Sequence, residues 1–263
     1  MALSEQQLET WSKQGAKVQS ASTYNTIKSV LDDASSPYHN LSYKIFLQGS
    51  YGNDTNIYAD SDVDVVICFS SIFYYDIDRL SRESQTRFHE NLTVGSSSFN
   101  EIKSRVLDWL KLKFGSGVIS GKKAILVPGN DYRRDADVLV CVNHRTYLSY
   151  ESELDCKYWE GVCFWTADGD KIVNYPHRHM ENCTRKHGIT SERFKPTVRT
   201  LKNLRNTMVA KGLVEHGLAP SYFLEGMLSN VPSRNFVASR QETFENYMDW
   251  LKNCEFGKLW CAN

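Results

Sequence analysis

Residues 46–69 read FLQGSYGNDTNIYADSDVDVVICF. Val63 to Phe69 is apolar almost without interruption, which predicts a strand buried on both faces. Alternate residues of a strand share a face, so Asp62 and Asp64 present two carboxylates side by side. Like charges at that spacing repel, and partial burial strengthens the repulsion. A divalent cation removes the conflict, and a set of oxygen ligands suits Mg²⁺ or Mn²⁺. The first half of the stretch places Gly49-Ser50 between a predicted strand, Tyr43–Leu47, and a helix start. There backbone N–H groups and the Ser50 hydroxyl can take phosphate oxygens, and glycine lets the backbone come close. Gln48, beside the turn, is a candidate contact to a base.

A third acid has a similar setting. Residues 134–140 read RDADVLV, an apolar strand pattern with carboxylates at its start. Asp137 abuts the apolar run and shares strand parity with Leu139. Asp135 competes for the same place, but it follows two arginines and reads as exposed. Three carboxylates on neighbouring strands make a site for two ions and for phosphoryl or nucleotidyl transfer.

The rest of the chain fits around these strands. Residues 5–33 read as one long N-terminal helical run with Ser4 as N-cap, ended by Ser35-Ser36-Pro37. Residues 98–114 carry Phe99, Ile102, Val106, Trp109, Leu110 and Phe114 on one helical stripe. Strands are expected around 117–128, over 136–142, and as a pair within 157–174. After Tyr175-Pro176 only helical patterns remain: roughly 192–211, 220–228 and 241–252. The expectation is an α/β (α+β) chain with a mixed-sheet domain over 1–175, packed on a helical domain over 176–263.

The chain has 263 residues, with Lys+Arg 31 and Asp+Glu 31, so its formal net charge is zero. That argues against a partner held by bulk positive charge, such as a stably bound long nucleic acid. The charges are segregated, however. Residues 54–90 hold eight acids against three bases, and residues 185–212 hold eight bases against one acid. In the second block Lys195, Arg199 and Lys202 fall on one helical stripe. An acidic half for metal and a basic half for triphosphate would account for the segregation. No run approaches the length of a membrane span, and the polar N-terminus lacks a signal-peptide core. Seven scattered cysteines without a C-x-x-C pair fit a reduced, cytoplasmic protein.

These residues resemble the nucleotidyltransferase core shared with DNA polymerase β: G-S, then D-x-D, then a distant third Asp. The longer segments are more specific. FLQGSYGNDTNIYADSDVDVVI, NYPHRHMENCTRKHGITSERFKPTVRTLKNLR and APSYFLEGMLSNVP resemble the CD-NTases, bacterial relatives of cyclic GMP–AMP synthase and oligoadenylate synthase. The likeness runs from near residue 5 to near 232 and extends to the related Hailong-system nucleotidyltransferases, which make linear DNA oligomers. It implies a polymerase β-like palm with Asp62, Asp64 and Asp137 as catalytic acids and ligands of two Mg²⁺ or Mn²⁺ ions. It implies that Gly49 and Ser50 bind phosphate, that Lys202 and Ser221 contact the donor triphosphate, and that Tyr222 stacks on a base. The implied activity joins NTPs or dNTPs, without a template, into a short cyclic or linear signalling oligonucleotide in anti-phage defence. Pyrophosphate is released, and the product acts through a separate effector protein. The chain's end at Asn263 leads to the expectation of an open acceptor pocket that favours linear products. Two other classes fit the motifs: a transferase acting on tRNA, an antibiotic or a protein, and a non-catalytic nucleotide-binding module. His177, His179, Cys183 and His187 crowd together, but their spacing matches no standard zinc pattern. They read as a helix with polar histidines.

Overall fold

The computed structural model describes residues 3–15, 18–58, 62–93 and 98–262. In chain order the helices are α1 (Glu5–Ser12), α2 (Val18–Leu31), α3 (Gly49–Gly52), α4 (Arg82–Asn91), α5 (Phe99–Phe114), α6 (Pro176–Ile189), α7 (Phe194–Ala210), α8 (Ser221–Asn230) and α9 (Arg240–Asn253). The strands are β1 (Tyr43–Leu47), β2 (Val63–Asp76), β3 (Ile119–Ser120), β4 (Ile125–Val127), β5 (Ala136–Tyr150), β6 (Cys156–Trp165) and β7 (Lys171–Asn174). The chain forms two compact units. One comprises residues 18–48 and 62–176, and the other residues 1–17, 49–61 and 177–263. The helical unit therefore takes in two segments that precede residue 175.

The first unit is a mixed sheet in the order β1-β2-β5-β4-β3, extended from β5 by β6 and β7. β2 and β5 run parallel at its centre, while β1 pairs with β2 antiparallel. The strands outlast the apolar runs that predict them, because β5 changes partner along its length: 136–138 pair with β4 and 142–150 with β6. Helices α2 and α5 cover the sheet with Ile27, Leu31, Ile102, Val106 and Leu110, all fully buried. The Trp109 indole N–H donates to the Val30 carbonyl at 2.8 Å, tying the two helices together. Ser98 and Glu101 close a capping box at the start of α5, which fixes that end of the helix. Cys68 and Cys141 lie in this core as expected, and all seven cysteines are free.

In the same sheet His144 is 2% exposed and its Nδ1 has no hydrogen-bond partner. Burial, helped by Lys171, brings its pKa down from 6.5 to about 4. The unfolded chain therefore takes up this proton first as pH falls. Stability is lost between about pH 6.5 and 4, by at most about 3 kcal/mol. Melting temperature is expected to fall over that window, and His144→Gln to flatten the slope. An unchanged slope in the variant would place the acid sensitivity elsewhere.

The second unit is built on α7. Phe194, Val198 and Leu201 pack with Leu224 and Leu228 of α8, Tyr247 and Leu251 of α9, and Cys183 of α6. Helix α1 lies along α7: the Asn203 side-chain amide donates to the Trp11 carbonyl at 2.9 Å, and Arg199 Nε to the Ser12 carbonyl at 2.5 Å. Here the single helix expected over 5–33 is corrected to two. Lys13 leaves α1 in an extended conformation. The Gly15 N–H donates to the Asn56 carbonyl, and a Cβ at Gly15 would stand 2.5 Å from the Ile57 carbonyl oxygen. Only glycine permits that approach, and the approach ends the helix. Among the described residues no helix is long and apolar enough to cross a membrane.

Candidate active site

In the sheet unit the parallel register sets Asp64 directly beside Asp137, as Cα partners on β2 and β5. Both are half-buried and Asp62 is exposed. Burial, then the charges of Asp62 and Asp135, hold the Asp137 carboxyl above the ordinary aspartate range. Asp137 thus feels the charge of Asp62, and the register brings Asp64 beside it. Asp135 uses its carboxylate otherwise, accepting from the Gly129 N–H at 2.6 Å. Gln48 donates its backbone N–H to the Asp64 carbonyl at 3.0 Å, and its side-chain Oε1 is buried without a partner. Hard carboxylate oxygens gathered at the start of two neighbouring strands are a donor set that fits Mg²⁺ or Mn²⁺.

In the helical unit Gly49 opens the short helix α3 with φ +66°, a conformation that glycine adopts without strain. Thr55 N–H donates back to the Ser50 carbonyl at 2.8 Å, and Asn53 N–H to the Gly49 carbonyl at 3.1 Å, so residues 49–55 form a closed turn. The basic stripe of α7 holds this turn from behind. Lys202 is 0% exposed and its ammonium donates to the Thr55 carbonyl at 3.0 Å. Arg199 donates to the Asp54 carbonyl at 2.6 Å, and Lys195 pairs with the Asp54 carboxylate at 3.5 Å. Burial lowers Arg199 to about 10, so it stays charged at neutral pH. The stripe is therefore buried and half-buried cations bound to the turn, Arg199 and Lys202 on its carbonyls and Lys195 on the Asp54 carboxylate, not a solvated face.

Ser221 and Tyr222 begin α8. Tyr222 is 48% exposed, and its ring stacks on His179 with centroids 4.5 Å apart and planes 24° apart. Of the four histidine and cysteine positions noted in the sequence, His177 is exposed and His187 half-buried. His179 and Cys183 are buried, so the reading of a helix with polar histidines is corrected there. Their partner is Glu225 of α8, also buried, which no motif had singled out. Its one trace in the sequence is a lone charge inside the apolar run SYFLEGML.

The family model for the cGAS/DncV-like nucleotidyltransferase C-terminal helical domain matches residues 181–263. The chain is 36% identical over 264 residues to the cyclic UMP-AMP synthase of Rhodothermus marinus (strain SG0.5JP17-172), covering 100% of this chain and 88% of that protein. It is 32% identical over 253 residues to the cyclic dipurine nucleotide synthase of Elizabethkingia meningoseptica, covering 96% and 83%. The structure of Rhodothermus marinus CdnE c-UMP-AMP synthase with Apcpp and Upnpp matches with TM-score 0.87 and 37% identity, over 99% of this chain and 86% of that one. With relatives this similar along nearly its whole length, the chain belongs to the cGAS/DncV-like nucleotidyltransferase (CD-NTase) family and is a nucleotidyltransferase.

Proposed function

We propose that the chain joins two ribonucleoside triphosphates into a cyclic dinucleotide that signals to a separate effector protein in anti-phage defence. The observation that supports this best is the full-length likeness to a c-UMP-AMP synthase with two nucleotide analogues. That likeness also favours a cyclic product over a linear one. In each of two transfers a ribose hydroxyl oxygen forms a bond to an α-phosphorus, the bond to the bridging oxygen breaks, and pyrophosphate leaves. Asp62, Asp64 and Asp137 are the residues that would hold two Mg²⁺ or Mn²⁺ ions, whose chemistry there would be to acidify the attacking hydroxyl and offset charge on the triphosphate. Ser50 and the N–H groups of its turn bind phosphate oxygens, Ser221 adds a hydroxyl, and Lys202 supplies charge from behind the turn. Tyr222 stacks on a base, and the unpartnered Gln48 Oε1 accepts from a second nucleotide group.

The relatives are named for different base pairs, so the test uses all four NTPs and dNTPs, singly and in pairs, with Mg²⁺. Mass spectrometry is expected to find a phosphatase-resistant product of two nucleotides joined by two phosphodiester bonds. Phosphatase-sensitive chains, or no product from any mixture, would overturn the reading.

A further inference from the structure

Glu225 is 3% exposed, yet it is a carboxylate within an apolar helix, and the proposed chemistry gives it no role. Its oxygens are fully engaged within the helical unit. Oε2 accepts from the Asn53 side-chain amide at 3.1 Å and from His179 Nε2 at 2.7 Å, and Oε1 accepts from the Thr55 hydroxyl. Each donor leads to a residue that the proposed function places on the nucleotide. Asn53 and Thr55 close the turn that begins at Gly49-Ser50. The Thr55 carbonyl holds the Lys202 ammonium. The His179 ring is the platform on which Tyr222 stacks.

We infer that Glu225 is a positioning residue for the donor nucleotide, setting the phosphate turn, Lys202 and the Tyr222 platform through Thr55, Asn53 and His179. This rests on the nucleotide roles proposed above. A carboxylate suits the place because it accepts several hydrogen bonds at once, and bonds to an ionised acceptor are short and strong. The carboxylate calls for a proton on the ring nitrogen that faces it, Nε2, while Nδ1 is buried without a partner. Cys183, whose Sγ lies 3.6 Å from His179 Nε2, completes the pocket as a neutral thiol, since burial and Glu225 push its pKa up to about 12. His179, Cys183 and Glu225 also have the residue types of a metal site, with their ligand atoms all within 4.8 Å of one another. The hydrogen-bond reading is the better one. Two ligands of one tetrahedral zinc ion stand about 3.3 Å apart, whereas Nε2 and Oε2 are at 2.7 Å.

The test compares wild type, Glu225→Gln, Thr55→Val and Thr55→Ser by titration with a non-hydrolysable triphosphate analogue and Mg²⁺, well below each melting temperature. Steady-state kinetics follow on the same proteins. Glu225→Gln and Thr55→Val are expected to weaken analogue binding at least tenfold and to raise KM, with kcat at saturation within threefold of wild type. Thr55→Ser keeps the hydroxyl and is expected to bind like wild type. Nitrogen NMR of wild type is expected to show His179 as the Nε2–H tautomer. Binding within threefold of wild type in both Glu225→Gln and Thr55→Val would overturn the inference. So would a Thr55→Ser variant as weak as Thr55→Val. If Glu225→Gln does not fold, the two Thr55 variants decide. A wild type that neither binds the analogue nor makes product would instead overturn the proposed function.

Discussion

Asp64→Asn is expected to stop nucleotide joining while leaving the fold intact. Asp64 is the register partner of Asp137, and the Asp137 carboxyl is already held above its usual range by burial and by neighbouring acids. The apo protein thus carries an unfavourable cluster of negative charge. Asparagine keeps the shape of the Asp64 side chain and adds no charge, so the melting temperature without metal should stay level. Loss of the ions' charge stabilisation, worth several kcal/mol at the reacting phosphate, should cut turnover by about a thousandfold or more. Metal binding gives a second readout. At ten times its dissociation constant Mg²⁺ stabilises a folded protein by about 1.4 kcal/mol. Wild type should show that shift and Asp64→Asn should not. The raised pKa of Asp137 sets the pH dependence. Its folded form binds a proton more tightly than the unfolded chain does, so apo stability gains as pH falls through that range. The same proton competes with the cation, so the Mg²⁺ shift fades. Turnover by Asp64→Asn within about tenfold of wild type would sink the assignment.

The acids and the glycine-serine turn were legible because each sits in a local pattern. A carboxylate pair inside an apolar strand and a glycine-serine turn ahead of it are each visible within a few residues. The third acid needed one further step, since Asp135 and Asp137 share strand parity and only Asp137 lies within the apolar run. What stayed hidden depends on distant contacts. Glu225 meets His179, Thr55 and Asn53 across 46, 170 and 172 residues, so no window of sequence brings them together. The break between α1 and α2 comes from Gly15 pressing on Ile57, a tertiary constraint laid on a stretch with ordinary helical periodicity. Helix α4 was missed for the opposite reason. Phe88 is the one large apolar side chain it buries, so its periodicity carried almost no signal. The stripe of Lys195, Arg199 and Lys202 was visible as a stripe, but its burial was not. A sequence shows where cations align along a helix, and it does not show which carbonyls will meet them.

That burial makes Lys202→Met the second large effect, and its interpretation needs a paired variant. Methionine keeps the length of the side chain and removes the ammonium. The Thr55 carbonyl loses a charged donor in a buried place, while Glu225 still holds the same residue through the Thr55 hydroxyl. A buried acceptor left unsatisfied costs about 1–3 kcal/mol, which for a chain of this size lowers the melting temperature by roughly 2–12 °C. Triphosphate affinity should fall by roughly 10- to 100-fold, as expected for a unit charge acting across the turn at an effective dielectric of about 20. A skeptic would attribute the second loss to the first. Lys202→Met/Glu225→Gln, compared with Glu225→Gln alone, separates them. Both proteins lack the Glu225 carboxylate, and they differ only in the Lys202 ammonium. Titrated well below both melting temperatures, the double variant is expected to bind triphosphate more weakly, because it alone lacks the positive charge behind the Gly49-Ser50 turn. Equal affinity in the two proteins would reduce Lys202 to a structural residue. Weaker binding by a folded double variant would mean the nucleotide responds to the charge itself.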